Sequence, residues 1–307
     1  MVANFFNKSK PVVVLSTITL LLMYYAISVF LFDSHEFSIP VLLKSALFFI
    51  GYILFLLIFK FVVDKNKLTG DNLYALLLVV VILGAFSEAL FSNYIIISNL
   101  ILLLSFRKIY SLQNGINTKL KLFDASFWIG IATLIFSWSI LYLLLIYIGI
   151  LMYQKVSLKN LLIPIIGWIT PVFLYFSYQF YYDNLTNFYN RFNYELSWDF
   201  EAYNSIRFLI PLVFLVAILC WSIIKVTPKI VLVSNNLKFS WNVILFQLFI
   251  SIIIVLMVPV KNGAELFYLA FPSGIIIANF LQNISSIILK NLILYVFLLI
   301  SISMYFL

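Results

Sequence analysis

The amino-acid sequence predicts an all-α protein, a polytopic bundle of transmembrane helices, and three observations support this prediction. Of its 307 residues, 64% are hydrophobic and only 10% are charged, whereas roughly a quarter of the residues in an ordinary soluble domain are charged. Apolar stretches of about 20 residues, the length that a helix needs to cross a bilayer, follow one another along the chain. These stretches do not alternate with polar residues, which favours helices over a transmembrane β-barrel.

The membrane segments account for nearly the whole chain, and we expect about 10–11 of them in a single transmembrane domain, 1–307. Nine are single spans, at 11–32, 40–63, 73–88, 92–106, 161–181, 206–224, 241–260, 265–284 and 289–307. The stretch 126–153 is too long for one upright helix and too short for two full ones. Basic residues flank it on both sides, so a short helical hairpin that breaks near Ser137-Trp138-Ser139 keeps both flanks on one side of the membrane.

The distribution of charge predicts the orientation of the chain, because short loops rich in Lys and Arg stay cytoplasmic. With the hairpin in place, fifteen of the nineteen basic residues fall on one side, and most acidic residues fall on the other. The sequence therefore predicts a multi-pass protein of a bacterial inner membrane, with a cytoplasmic N-terminus and a periplasmic C-terminus. The net charge of +8 is then an orientation signal and an attraction to anionic membrane lipids, and we expect no nucleic-acid binding.

Sequence motifs for several kinds of chemistry are missing from the chain. There is no Walker loop, dinucleotide fingerprint, His-Glu-x-x-His or G-x-S-x-G motif, which excludes a nucleotide-driven pump and a zinc protease. One histidine, His35, and one cysteine, Cys220, cannot by themselves form a metal site or a disulfide framework. We expect no metal and no cofactor.

Ionisable groups near the outer ends of the spans are the candidate functional residues, because charge at a membrane is costly to bury. The candidate catalytic carboxylates are Asp33, Glu36 and Glu88. The candidate binding residues among the ionisable groups are Lys44, Arg207, Lys261 and Glu265. These groups could line an outward-facing cavity, or each could mark a turn at the level of the lipid headgroups. Glu88 and Glu265 are the more suggestive, since their turns are too short to serve as mere solubilising loops.

The longest external segment, 182–205, mixes aromatic residues with acids and asparagine. Trp198 and Tyr203 are its candidate binding residues. Amphipathic aromatic side chains suit a membrane interface, and they also suit a sugar or a protein partner. This segment is therefore either an interfacial anchor or a binding surface.

The chain resembles two groups of membrane proteins. Parts of it from residue 94 onward resemble the membrane module of the GT-C glycosyltransferase superfamily. They are the Asn99–Leu102 span that ends in Arg107-Lys108, the short Gly130–Ala132 helix, the Leu162–Pro171 helix, and Leu266–Pro272, which is similar to the R/H-Y-L-x-x-x-P helix of that superfamily. The whole chain, from Phe5-Phe6-Asn7-Lys8 onward, more closely resembles a family of uncharacterised Bacteroidota inner-membrane proteins.

The GT-C resemblance implies a polyprenyl-linked sugar donor at the outer face and a catalytic carboxylate in the first external loop. That loop is long in the superfamily, whereas here it spans only 33–39. Three functions therefore stay open: an accessory, non-catalytic subunit of a cell-envelope complex for glycan assembly or protein export, a GT-C-type glycosyltransferase, and a transporter. The first is preferred, with other membrane proteins as its expected partners and a polyprenyl-linked glycan as a possible one.

Overall fold

The structure is a computed structural model that describes residues 2–32, 39–91, 93–192, 194–233 and 235–307. Its described residues form α-helices joined by short connections and 3-10 turns. In chain order the helices are α1 (Val2–Phe6), α2 (Pro11–Phe32), α3 (Ile39–Lys65), α4 (Tyr74–Ala85), α5 (Ser87–Phe91), α6 (Asn93–Tyr110), α7 (Thr118–Ile135), α8 (Tyr142–Met152), α9 (Leu158–Tyr181), α10 (Leu185–Arg191), α11 (Ile206–Val233), α12 (Asn235–Met257), α13 (Phe267–Asn283) and α14 (Ile287–Ser303).

The predicted all-α polytopic bundle is confirmed. Within the described ranges, seven helices are long and apolar enough to cross a membrane, and α4, α14 and the 137–152 segment are shorter apolar helices. The predicted span at 73–88 is wrong in length. The helix there, α4, has 12 residues and is about 18 Å long, because the backbone leaves the helical conformation at Phe86 before α5 begins. Every residue of α4 is buried, so this short helix packs inside the bundle.

Helix α13 lies at the centre of the bundle. All of its residues from Phe267 to Leu281 are buried, and α4, α6, α11 and α12 pack around it. Phe271 shows how the surrounding helices meet there, because its ring centroid is 5.2 Å from those of both Phe59 and Phe106. Edge-on and tilted contacts of this kind are the favourable geometries for aromatic pairs.

Several polar side chains inside the bundle pair with one another. The Tyr268 hydroxyl donates to Ser98 at 3.0 Å, and Ser98 is in turn 3.0 Å from the Ser139 hydroxyl. A second pair joins the hydroxyls of Tyr142 and Ser251 at 2.9 Å. In a membrane interior no water replaces a missing partner, so these contacts fix how the helices are rotated against each other.

The predicted hairpin at 126–153 is confirmed, including its break. Helix α7 ends at Ile135, Phe136 adopts an extended conformation, and a 3-10 turn at Ser137–Leu141 leads into α8. The Ser240 hydroxyl lies 3.2 Å from the Gln113 side chain and 3.1 Å from the Tyr153 hydroxyl, so the connections before and after the hairpin are at the same end. The first half is longer than predicted, because α7 begins at Thr118.

The bundle has a basic end and an acidic end. The basic end comprises the connections 66–73, 111–117, 153–157 and 284–286, and the acidic end comprises 86–91, 182–192, 194–205 and 258–266. A hydrogen bond of 2.9 Å from the Gly70 N–H to Gln282 is one of the contacts that tie the basic end together.

Helices α7 and α9 approach each other closely through two glycines. A Cβ atom at Gly130 would lie 2.7 Å from the Trp168 carbonyl oxygen, and one at Gly167 would lie 2.8 Å from the Phe123 carbonyl oxygen. Small residues at such crossings let two backbones come together, which is a common way of packing helices in a membrane.

Replacing Gly167 with alanine should destabilise the protein by about 1–3 kcal/mol, because the methyl group forces α9 away from α7. Thermal unfolding of the detergent-solubilised protein, followed by circular dichroism, would measure the loss. Gly51→Ala is the matched control, since the nearest atom to its added methyl is Leu100 Cδ1 at 3.9 Å. Equal unfolding temperatures for the two variants would contradict the packing described here.

Candidate functional site

The acidic end gathers most of the ionisable residues that the sequence predicts for function. Four elements meet there: α5, the 3-10 turn Glu201–Asn204 with the start of α11, the turn at 258–263, and the 3-10 turn Ala264–Leu266. They come from separate parts of the chain, so only the packing of the bundle brings their charged side chains together.

Glu88 and Arg207 form an ion pair between α5 and α11. The Arg207 Nη2 atom lies 3.2 Å from Glu88 Oε1 and donates to the Ser87 hydroxyl at 2.5 Å. Ser87 in turn donates to Glu88 Oε2 at 3.1 Å. The Glu88 and Arg207 side chains are 25% and 22% exposed, so solvent screens this pair less than a surface pair. Both groups therefore hold α5 to α11.

Glu265 is the most deeply buried acid of this end, with a residue exposure of 1%. Its carboxylate accepts a hydrogen bond from the Tyr203 hydroxyl and two from the backbone N–H groups of Gly263, at 3.1 Å, and Asn262, at 3.3 Å. Gly263 has φ +89°, a conformation that favours glycine. Three donors offset the cost of burying the carboxylate.

The same contacts act on Tyr203. Burial raises the pKa of the Tyr203 hydroxyl above its ordinary value, and the negative charge of Glu265 raises it further. A raised tyrosine pKa means that the hydroxyl keeps its proton throughout the physiological range. Tyr203 is therefore a permanent donor to Glu265 and not a candidate general base.

Lys261 is buried as well, with 8% of its surface exposed. Its ammonium group donates to the carbonyl oxygens of Ser197, at 2.5 Å, and Val258, at 2.9 Å, and lies 4.7 Å from the centroid of the Phe200 ring. The charge is thus satisfied by two carbonyls and an aromatic face. It ties the segment that contains Ser197 and Phe200 to the end of α12.

The structure brings together five of the nine predicted site residues and separates others. The five are Glu88, Tyr203, Arg207, Lys261 and Glu265. Lys44 is exposed on the outer surface of α3, as expected of a lysine that snorkels towards the headgroups. Trp198 is 68% exposed. Asp33 and Glu36 lie outside the described residues, so the structure does not place them.

Two features of this end were not predicted from the sequence. One is the pairing of Glu88 with Arg207, which are far apart in the chain. The other is Ser87, whose hydroxyl bridges the two charged groups. The Ser87-Glu88 pair at the start of α5 contains no sequence pattern that would have predicted this bridge to Arg207. Among the described residues, no group of three or more His, Cys, Asp and Glu side chains is placed to hold a metal ion.

The surface of this end is formed by the segment 194–205. Leu196 and Trp198 project outward, and Asp199 and Glu201 are exposed beside them. The longer segment 182–205 contains four acidic residues and one basic residue. It presents a surface that is both apolar and negatively charged.

The basic end has cavities, although the sequence suggested only a topological role for it. One of about 380 Å³ lies between the 66–73 connection and helices α11, α12 and α13, and Lys67, Lys229, Trp241, Asn279 and Gln282 contribute to its lining. The Lys229 ammonium group is 3.4 Å from the Asn283 carbonyl oxygen. The cavity is thus formed by one connection and three helix ends, and no sequence motif indicates that these parts of the chain lie together.

Replacing Glu265 with glutamine should loosen the 194–205 segment, because an amide has one acceptor oxygen for three donors and directs an NH₂ group at one of them. The expected local loss is about 1–3 kcal/mol. Hydrogen–deuterium exchange should show faster exchange over 197–204. Glu201→Gln, an exposed change in the same segment, is the matched control, and unchanged exchange in the Glu265 variant would contradict the structural role of this carboxylate.

Comparison with known proteins relates the chain to one family. No curated protein and no solved structure matches the chain. A family model described as "Family of unknown function (DUF6427)" matches residues 7–307, which is nearly the entire chain. The chain therefore belongs to the DUF6427 family.

Proposed function

We propose that this protein is a non-catalytic subunit of a cell-envelope assembly complex in a bacterial inner membrane, and that it docks a partner membrane protein through segment 194–205. The observation that carries the proposal is how the acidic end uses its charges. Glu265 and Lys261 are buried, and their charges are satisfied by Tyr203 and by backbone groups. Trp198, which lies in segment 194–205 with Tyr203, stays 68% exposed.

Buried charges of this kind suit a scaffold better than an active site. A general base has to be within reach of a substrate proton, whereas Glu265 is buried beneath Tyr203 and the backbone of its own turn, and Glu88 is paired with Arg207. Their effect is to hold segment 194–205 and α5 against the bundle. A surface held in a fixed conformation loses little entropy when it binds a partner.

The charge of the segment favours a protein partner over lipid headgroups. Exposed Asp199 and Glu201 would be repelled by anionic lipids, which attract basic segments. A partner with basic residues around an apolar pocket would complement both the carboxylates and the indole of Trp198. Trp is enriched among the residues that dominate the binding energy of protein interfaces.

The proposed orientation in the membrane follows from the difference in charge between the basic end and the acidic end. The basic end carries Lys60, Lys65, Arg107 and Lys108 close to apolar helices, and such clusters stay on the cytoplasmic side. The acidic end, with segment 194–205, would then face the periplasm. Envelope glycans and exported proteins are assembled there, which is why the partner is sought among periplasm-facing membrane proteins.

The docking proposal can be tested with a photo-crosslinking residue at position 196, beside Trp198. We expect a defined protein adduct in native membranes. Trp198→Ala should weaken the association about 30-fold or more, as for the loss of a dominant interface residue, and should therefore lower the yield of the adduct. Asp199→Lys should reduce it as well, because it reverses the charge that faces the partner.

Position 94 provides the matched control. Tyr94 is 69% exposed, near the same end but outside the segment, and a crosslinker there should give no such adduct. If position 196 yields only lipid adducts, or if the Trp198 variant keeps the full yield, the segment is an interfacial anchor and the docking proposal is wrong. Tyr203 is not used as the variant, because its hydroxyl holds Glu265.

A second test separates a scaffold from a glycosyltransferase. Asp33→Asn, Glu36→Gln, Glu88→Gln and Glu265→Gln each remove one carboxylate at nearly constant shape. In a deletion strain under envelope stress, we expect rescue by each variant to follow its abundance in the membrane, with Glu88→Gln and Glu265→Gln the least abundant because they lose the contacts described above.

The opposite result would identify an enzyme. A variant that accumulates to the normal level but fails to rescue would show that its carboxylate acts in chemistry. The expected loss in turnover for a missing general base is about 10²–10⁴-fold. Such a variant at Asp33 or Glu36 would favour a GT-C-type transferase that uses a polyprenyl-linked sugar, and the proposal of a non-catalytic subunit would fail.

A further inference from the structure

The basic end holds a cluster of charges that the proposed docking surface does not use. Its cations lie at the ends of α3 and α6 and at the start of α7, and two acids lie among them. Five of the cations are Lys60, Lys65, Arg107, Lys108 and Lys121, and the acids are Asp64 and Asp124. Positive charge therefore exceeds negative charge in this small region.

Three of the five cations have evident partners. Lys60 pairs with Asp64 on the same helix, and Lys108 pairs with Asp124 of α7 at 2.6 Å. Lys121 donates to the Ser111 carbonyl oxygen at 2.7 Å. Its pKa is lowered by burial and, in addition, by the charges of Lys65 and Lys108, which indicates how closely the positive groups are crowded.

The other two cations, Lys65 and Arg107, share one aromatic ring. The Lys65 ammonium is 5.3 Å from the Phe61 ring centroid, and the Arg107 guanidinium is 5.0 Å from it. The two charges are thus no more than about 10 Å apart. Neither is within 4 Å of a carboxylate in the part of the chain that the structure describes. The two positive charges repel each other. An anion bound between them would be attracted to both and would offset this repulsion.

An open cavity lies next to each of these two cations. One, of about 400 Å³, lies between α6 and α7 and is lined by Arg107, Lys108 and Trp128 among others. A second, of about 470 Å³, lies along α3 and is lined by Phe61 and Lys65 among others. Space for a headgroup therefore lies next to each of the two cations.

An apolar stripe on the outer face of α3 leads to the same point. Leu54, Leu57 and Phe61 are each nearly half exposed and recur at helical spacing below Lys65. From Leu54 to Lys65 the stripe is about 16 Å long. An acyl chain would lie along such a stripe, and this distinguishes an amphiphilic ligand from a soluble anion.

We propose that Arg107 and Lys65, which share the Phe61 ring, bind the phosphate group of an anionic membrane phospholipid whose acyl chain follows the Leu54, Leu57 and Phe61 stripe. Arginine binds phosphate through a planar fork of donors and lysine through a compact charge. The Trp128 indole, which contributes to the lining of the cavity, is suited to the headgroup level. The site is separate from segment 194–205 and does not depend on the docking proposal.

The test uses the full chain, purified in a neutral detergent. Native mass spectrometry and thermal unfolding would be measured with phosphatidylglycerol, with phosphatidylcholine and with soluble glycerol phosphate. We expect phosphatidylglycerol to bind and to raise the unfolding temperature. Phosphatidylcholine should bind more weakly because its headgroup has no net charge, and glycerol phosphate should neither bind at equal concentration nor compete, because it has no acyl chain.

The double variant Lys65→Gln/Arg107→Gln should lose about tenfold or more in affinity for phosphatidylglycerol, the loss expected for two cations near a membrane surface. Its unfolding temperature without lipid should stay that of the unchanged protein. Lys159→Gln, an exposed cation of the same end, is the matched control and should keep full affinity.

Three results would overturn the proposal. An equal loss of affinity in the Lys159 variant would indicate general charge attraction, and competition by glycerol phosphate would indicate a site for a soluble phosphate. Equal binding of phosphatidylcholine and phosphatidylglycerol would show that the charge of the headgroup is not recognised. If the double variant does not fold, the single variants Lys65→Gln and Arg107→Gln replace it. Each should lose part of the affinity for phosphatidylglycerol, and full affinity in both folded single variants would overturn the proposal.

Discussion

The structure depends on the complete burial of helix α13. A helix that crosses a membrane is usually in contact with lipid on one face, but α13 is covered on every side from Phe267 to Leu281. Two of its polar side chains pair within the protein: Tyr268 donates to Ser98, and the Asn279 amide donates to the Leu68 carbonyl oxygen at 2.9 Å. Since neither lipid nor water can replace these partners, the positions of α4, α6, α11 and α12 around α13 follow from its contacts.

The same constraint explains why the acidic end is built as it is. The turn that leads into α13 carries Glu265, so the start of the central helix places a carboxylate where water is excluded. Tyr203 and the backbone of the turn satisfy it, and Lys261 next to this turn reaches the carbonyl of Ser197. Segment 194–205 is therefore fixed by the helix that it covers. The groups of this segment that contact Glu265 and Lys261 face inward, and its indole and carboxylates remain exposed.

The two ends of the molecule differ in how they treat charge. At the acidic end the predicted site residues that come together face inward and find partners in the protein. At the basic end Lys65 and Arg107 stay near the lipid-facing surface and share the Phe61 ring. A fixed acidic surface suits recognition of another protein, whereas an excess of cations above an apolar stripe suits a lipid phosphate. The proposed roles of the two ends are complementary, and each rests on its own observations.

The sequence by itself determined the helical membrane bundle and the break of the hairpin near Ser137, because the length and composition of apolar stretches decide what can cross a bilayer. Flanking charges also predicted that the two sides of the hairpin share an end. Only the tertiary structure decided that α4 is a short buried helix, since apolar composition does not distinguish contact with lipid from contact with protein. It also decided that Glu88 pairs with Arg207, and that Lys65 and Arg107 meet at Phe61. Each of these pairs joins residues of different helices, and their meeting depends on helix rotation and packing, which no local pattern in the sequence encodes.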